Sequence, residues 1–341
     1  MSAKPVVGLA LPDRGGPAQP LLNVIGLRKH FALPGGFFRR SRARVRAVDG
    51  VSFAIAKGET LGVVGESGCG KSTTARLVAR LIEPDGGELV FDGEAVGEQT
   101  GLALKDFRRS LQMVFQDSYA SLNPRMSVAE AVAYGPQVHG MRARAARERA
   151  HDLLARVGLA PDVFAQRYPH ELSGGQRQRT NIARALAFEP RLLILDESVA
   201  ALDKSVQAQV LNLLQELKAE RQLTYLFISH DLHVVHYLAD RVLVMYLGIV
   251  VESGPVEDLF RTPRHPYTKA LLSAVPSLDP SRRTQQSPLA GDPPNPIDPP
   301  SGCRFRDRCP LARPRCAAEV PVWRESTAGH WAACHFDQEF A

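Results

Sequence analysis

Gly65-Glu66-Ser67-Gly68-Cys69-Gly70-Lys71-Ser72-Thr73 is the stretch on which the reading of this 341-residue chain turns. It satisfies G-x-x-x-x-G-K-[ST] at every fixed position. Leu61 to Val64 before it reads as a short buried strand, and Thr73 to Leu81 after it reads as a helix, which is the frame the motif requires. The glycines allow backbone N–H groups to converge on phosphate oxygens, and the helix N-terminus adds partial positive charge. Lys71 is expected to reach the β- and γ-phosphates of a nucleotide, and Ser72 to hold Mg²⁺. The plainer alternative is a glycine-rich turn with a chance lysine, and the full match within a strand-turn-helix frame argues against it.

The apolar content of 44% is ample for packed cores, and the length leaves room for about two domains. The longest apolar run, Val242 to Val251, has half the roughly 20 residues of a membrane span. The first residues carry one lysine and a short apolar patch ended by Pro12, which does not read as a secretory signal, so the expected compartment is the cytoplasm. A net charge of +6, with five arginines between Arg39 and Arg46, suits nucleic acid, an anionic membrane surface or a solvated basic loop alike.

Residues 1–20 read as a disordered lead. Val51, Phe53 and Ile55 alternate with small or polar residues, and Glu88 to Phe91 lies between Gly86-Gly87 and Asp92-Gly93; together they predict an antiparallel layer beside the nucleotide core. Phe31 is the upstream aromatic best placed to stack on a base, or is part of the core. From about 117 to 170 the composition turns to helix formers, predicting a separate helical subdomain entered through Phe115-Gln116. It is left through LSGGQRQR, Leu172 to Arg179, where Ser173 caps a helix running to Phe188 and Gly174 and Gly175 leave the backbone bare. This is a second helix N-terminus suited to an anion. Arg191 to Glu197 is an apolar run closing on two carboxylates: Asp196 fits a Mg²⁺ partner, and Glu197 a base that orients water. Leu223 to Ile228 repeats the pattern and ends at Ser229-His230-Asp231, putting an imidazole at the same sheet edge.

Eight prolines between Pro276 and Pro300 predict a stiff, extended linker. Beyond it lie Cys303, Cys309, Cys316 and Cys334, which in a cytoplasmic chain read as metal ligands rather than disulfides. The absence of C-x-x-C weighs against zinc, and reduced thiols remain a third reading.

In this order the motifs resemble the ATPase subunit of ABC transporters: Walker A at Gly65 to Ser72, the Q-loop at Gln116, the signature at Leu172 to Gln176, Walker B at Leu192 to Glu197 and the switch histidine at His230. SLNPR at Ser121 to Arg125 and HPYTKALLSAVP at His265 to Pro276 resemble the oligopeptide and dipeptide permease group, in particular the second of its two ATPase subunits. The resemblance implies an α/β P-loop NTPase of the ABC type. It would have a RecA-like parallel sheet core with an antiparallel β subdomain and an α-helical subdomain over residues 21–255. A C-terminal extension and linker would occupy 256–300, and a small cysteine-rich module 301–341. It further implies ATP held by Gly65 to Thr73 with Phe31 at the base, and Mg²⁺ at Ser72, Gln116 and Asp196. Ser173, Gly174, Gly175, Gln176 and Asp203 would meet the nucleotide of a paired, paralogous ATPase subunit. Two membrane permease subunits, an extracytoplasmic binding protein and a peripheral location on the cytoplasmic face of the inner membrane follow by the same likeness. Some of these ATPases carry a [4Fe–4S] cluster at the place of the four cysteines. The family's D-loop serine is replaced here by Ala200.

The rival reading is a soluble ABC ATPase acting on nucleic acid or ribosomes. Against it, Lys71 and Leu172 are too close in sequence for an inserted coiled coil, and there is a single Walker A. The cargo stays open among dipeptides, longer peptides, nickel and other small solutes.

Overall fold

The computed structural model describes residue 16 and residues 19–33, 43–97, 99–274, 291 and 294–340. The first part of the expected disordered lead, the start of the basic segment at Arg39 to Arg46 and most of the proline-rich linker lie outside them.

Taken along the chain, β1 (Leu22–Ala32) and β2 (Arg44–Ile55) come first, and β2 buries Val51, Phe53 and Ile55 as their alternation predicts. β3 (Thr60–Val64) is buried throughout and leads through the glycine-rich loop into α1 (Lys71–Val78). The helix ends before Leu81 because Arg80 turns into the left-handed region at φ 53°. β4 (Gly86–Phe91) and β5 (Glu94–Ala95) form a hairpin across Asp92-Gly93, both at positive φ as a primed two-residue turn requires. α2 (Leu104–Ser110) leads into β6 (Leu111–Val114). Then come α3 (Val128–Val138), α4 (Ala143–Arg156), α5 (Pro161–Phe164) and α6 (Gly174–Leu186). The last of these stops short of Phe188, and Glu189 is left-handed at φ 51°. β7 (Leu192–Asp196), α7 (Lys204–Arg221), β8 (Thr224–Ile228), α8 (Leu232–Leu238), β9 (Arg241–Tyr246), β10 (Ile249–Pro255), α9 (Val256–Arg261) and α10 (Pro266–Ser273) follow. α11 (Pro314–Ala318), β11 (Arg324–Thr327) and β12 (His330–Ala332) close the chain.

The chain divides into two compact units, with β8 passing from one to the other. One comprises Ile55–Glu59, Val90–Leu226 and the described residues up to Leu22. In it β6 and β7 pair in parallel, Leu111 with Leu192 and Val114 with Leu195. α3 packs on α4 and α6, burying Val132, Ala146, Ala150, Leu153, Leu154 and Ile182. Ser127 and Glu130 close a capping box at the head of α3. Buried Asp92 is matched by two cations, Lys57 Nζ at 2.9 Å and Arg191 Nη1 at 2.7 Å.

The other unit comprises Asn23–Ala54, Thr60–Leu89 and Phe227–Ala341. β1 lies between β2 and β4. β3 pairs in parallel with β9, β9 antiparallel with β10, β10 with β12 and β12 with β11. The long apolar run Val242 to Val251 is therefore two strands, folded back at Leu247 and Gly248, both at positive φ. Glu252 on β10 is fully buried. Its carboxylate accepts the N–H of Arg264 at 2.6 Å and of His265 at 3.0 Å, and pairs with His330 Nε2 at 2.7 Å. Among the described residues no helix is long and apolar enough to cross a membrane.

Candidate functional site

β3 delivers the chain into Gly65 at the sheet's carboxyl edge. Gly65 (φ 150°) and Gly70 (φ 109°) cannot carry a side chain, since an added Cβ would lie 2.3 Å from the carbonyl oxygens of Met245 and Ala47 respectively. Ser67 and Gly68 are exposed, whereas Cys69 is buried, and burial pushes its thiol up against the opposing influence of Lys71. Gly70 stands at the N-cap of α1 and brings no side chain to cap it, as suits a helix end that receives an anion. The Lys71 ammonium is buried and donates to Gly65 O at 2.7 Å and Glu66 O at 3.0 Å. Ser229 N donates to Val63 O at 3.3 Å, so the end of β8 lies beside the end of β3. His230 follows, exposed, and Asp231 then caps α8 by accepting from His233 N at 3.0 Å. Phe31 is half exposed at the end of β1, with Lys29 Nζ 5.8 Å from its ring centre.

In the other unit Asp196 is the buried last residue of β7. Glu197 directly after it is held at φ 46°, a left-handed conformation that costs a bulky residue about 1–3 kcal/mol and recurs where a side chain must be aimed. Gln116, beyond the end of β6, donates from Nε2 to Glu197 Oε2 at 2.9 Å. The structure thus joins two candidate site residues that lie 81 positions apart in the chain. Ala200 N donates to Glu197 O at 3.1 Å, and Ala200 and Asp203 are exposed. Asp203 occupies the N-cap of α7 without bonding through its side chain. Ser173 caps α6 reciprocally with Gln176: Ser173 Oγ accepts from Gln176 N at 3.3 Å, and Gln176 Oε1 accepts from Ser173 N at 3.0 Å. Gly174 is exposed, while Gly175 packs so closely on α7 that a Cβ would lie 2.4 Å from Val206 Cγ1.

Cys303, Cys309, Cys316 and Cys334 line one pocket together with Phe305, Leu311 and Phe336. Desolvation, and after it the proximity of the other thiols, pushes Cys303 up to about 11 and Cys334 up to about 12. All four are free thiols, and among the described residues no group of three or more His, Cys, Asp or Glu side chains stands in the arrangement of a metal site. The arginines between the cysteines are paired with carboxylates. Arg304 bonds Asp49, Arg308 bonds Glu66, Arg313 bonds Glu339 and Arg315 bonds Glu319. Carboxylates are the stronger acceptors within reach, and they take the guanidinium forks.

Residues 48–200 match the family model described as ABC transporter, and residues 251–316 match the one described as Oligopeptide/dipeptide transporter, C-terminal region. Across nearly the whole length, the chain is 49% identical to the oligopeptide transport ATP-binding protein AppF of Bacillus subtilis, over 93% of this chain and 97% of that one. The chain belongs to the ATP-binding proteins of ABC transporters, in the oligopeptide/dipeptide group. A Brucella ovis protein named as a peptide import ATP-binding protein is 51% identical over 92% of this chain and 97% of its own. Among solved structures, cbiO1 of Clostridium perfringens, part of the ABC transporter complex cbiONQ, aligns with a TM-score of 0.60 and 29% identity over 71% of this chain and 91% of that one. ATP and Mg²⁺ are the cofactors expected of an ABC ATPase.

Sequence reasoning passed over several residues of this ABC ATPase's loop and C-terminal region. Tyr267 Oη accepts the N–H of Glu66 at 2.8 Å, and His265 Nδ1 accepts that of Tyr267 at 3.1 Å. Both lie in HPYTKALLSAVP, whose resemblance assigns neither of them a role, and the partner of the buried tyrosine lies 201 positions away in the sequence.

Proposed function

We propose that the chain is the ATP-binding and hydrolysing subunit of an ABC importer of dipeptides or oligopeptides, peripheral on the cytoplasmic face of the membrane. The observation that carries the reading is the likeness to AppF across both the nucleotide-binding and the C-terminal regions, at about half of all positions. Two membrane permease subunits would be its partners, with an extracytoplasmic binding protein supplying cargo and a paralogous ATPase subunit closing on it head to tail.

In this reading the loop from Gly65 to Thr73 wraps the phosphates, with Lys71 on the β- and γ-phosphates and Phe31 against the base. Ser72, Asp196 and Gln116 hold Mg²⁺. Glu197 orients the attacking water, supported by its aimed backbone and its bond to Gln116. His230 meets the γ-phosphate. Ser173, Gly174, Gly175, Gln176 and Asp203 serve the partner subunit's nucleotide, so that each γ-phosphate faces two helix N-termini, a lysine and Mg²⁺.

We further propose that Cys303, Cys309, Cys316 and Cys334 hold one [4Fe–4S] cluster. The donor set fits in type, four thiols sharing a mostly apolar pocket. When bound, the cluster would staple a segment too small to build much of a core.

Reconstitution with the permeases and binding protein tests the function: ATP hydrolysis should rise with peptide, and stimulation by DNA or RNA in its place would overturn the reading. Protein purified without oxygen should carry about four iron and four sulfide per chain. Stoichiometric zinc without sulfide would refute the cluster.

A further inference from the structure

Glu66, the second residue of the phosphate loop, is gripped from the C-terminal segment. Arg308 Nη1 donates to Glu66 Oε2 at 2.7 Å and Nη2 to Oε1 at 2.9 Å, a two-pronged pair in which the guanidinium is almost wholly buried. The Arg308 guanidinium carbon lies 6.0 Å from the centre of the Tyr246 ring, and that ring packs on Tyr267 and Phe305 with centroids at 4.6 and 5.3 Å. Tyr267 Oη takes the N–H of Glu66, and Lys71 takes its carbonyl, so every polar group of this loop residue is engaged. Backbone direction at Glu66 determines where the following N–H groups point, and those are the groups a phosphate must find. A forked guanidinium fixes a carboxylate in direction as well as position, which an ammonium does not.

Charge adds a second effect. An unpaired carboxylate at Glu66, a half-buried residue, would stand in the loop that receives a triphosphate, and like charges repel. Arg308 cancels that charge. We propose that Arg308 is a positioning residue of the ATP site: it orients Glu66 and neutralises it, making the cysteine-bearing segment a working part of nucleotide binding. This rests on the reading of Gly65 to Thr73 as the ATP site.

Mg–ATP binding to the full-length chain tests it, with the wild-type protein first. No binding by wild type would refute the ATP-site reading itself, whereas binding that is indifferent to Arg308 would refute only the present inference. Arg308→Gln should weaken binding about tenfold, the range of a charge-assisted pair, and raise KM with kcat within about twofold. Arg308→Lys should fall between Arg308→Gln and wild type. Glu66→Gln combined with Arg308→Gln should bind within about twofold of Glu66→Gln alone, because the repelling charge is gone. Damage to folding alone would not be rescued in this way. A dissociation constant for Arg308→Gln within twofold of wild type, or single effects that multiply in the double variant, would overturn the proposal.

Discussion

Nε2 of Gln116 reaches Oε2 of Glu197 at 2.9 Å, tying the chain beyond β6 to the carboxylate beyond β7. The bond and the left-handed backbone at Glu197 together fix the direction of its carboxylate. Glu197→Gln should bind Mg–ATP about as tightly as wild type and lose at least about a hundredfold in turnover, the lower end of what a general base contributes. Phosphate release alongside nucleotide binding checks both halves, and near-normal turnover removes Glu197 from the role.

The loop glycines should differ sharply in tolerance. Gly65→Ala and Gly70→Ala each drive a methyl into a backbone carbonyl and should lose more than tenfold in ATP affinity. Gly68→Ala meets open space and carries only the left-handed penalty of about 1–2 kcal/mol at φ 78°. Equal losses in a binding titration of all three would mean that backbone strain, not collision, sets the requirement.

His265 should make stability depend on pH. Burial pushes its imidazole down to about 3 from an ordinary 6.5. Between those values the unfolded chain binds a proton that the folded chain does not, so stability is complete above about 6.5 and falls as the pH drops. The unfolding equilibrium should shift by up to about tenfold per pH unit. His265→Asn keeps an acceptor at the N-cap of α10 and removes the titration, so its slope between pH 7 and 5 should be flatter. Urea unfolding across that range decides, and parallel slopes would clear His265 of the effect.

Ala200 is exposed, at the position where the resemblance to ABC ATPases implies a D-loop serine. Ala200→Ser should raise ATP hydrolysis in the reconstituted complex a few-fold, as one added hydrogen bond allows, by acting at the partner's site. An unchanged rate means that the substitution is neutral.

The buried strands were legible because β3, β7 and β8 are apolar at nearly every position, and α6 because Ser173 is a good N-cap before a helical run. The hairpin at Leu247 was not, since an apolar residue there adopts the conformation that glycine or asparagine would announce. Nor could the role of Arg308 be read locally, because it finds its carboxylate 242 positions away. The start of α1 at Lys71 rather than Thr73 was not legible either, because the helix begins with the backbone while the Lys71 ammonium turns back to the carbonyls of Gly65 and Glu66.

Glu252 makes the end of this protein indispensable to its middle. Its carboxylate has no water to fall back on, and one of its three partners, His330, lies eleven residues from the terminus. A protease or stop codon acting before His330 would therefore take away the one side-chain partner of that carboxylate together with β12, the strand that pairs with β10 beside it. The tail is thus insured against loss: a shortened chain would fail as a fold before it could persist as a subunit with altered control.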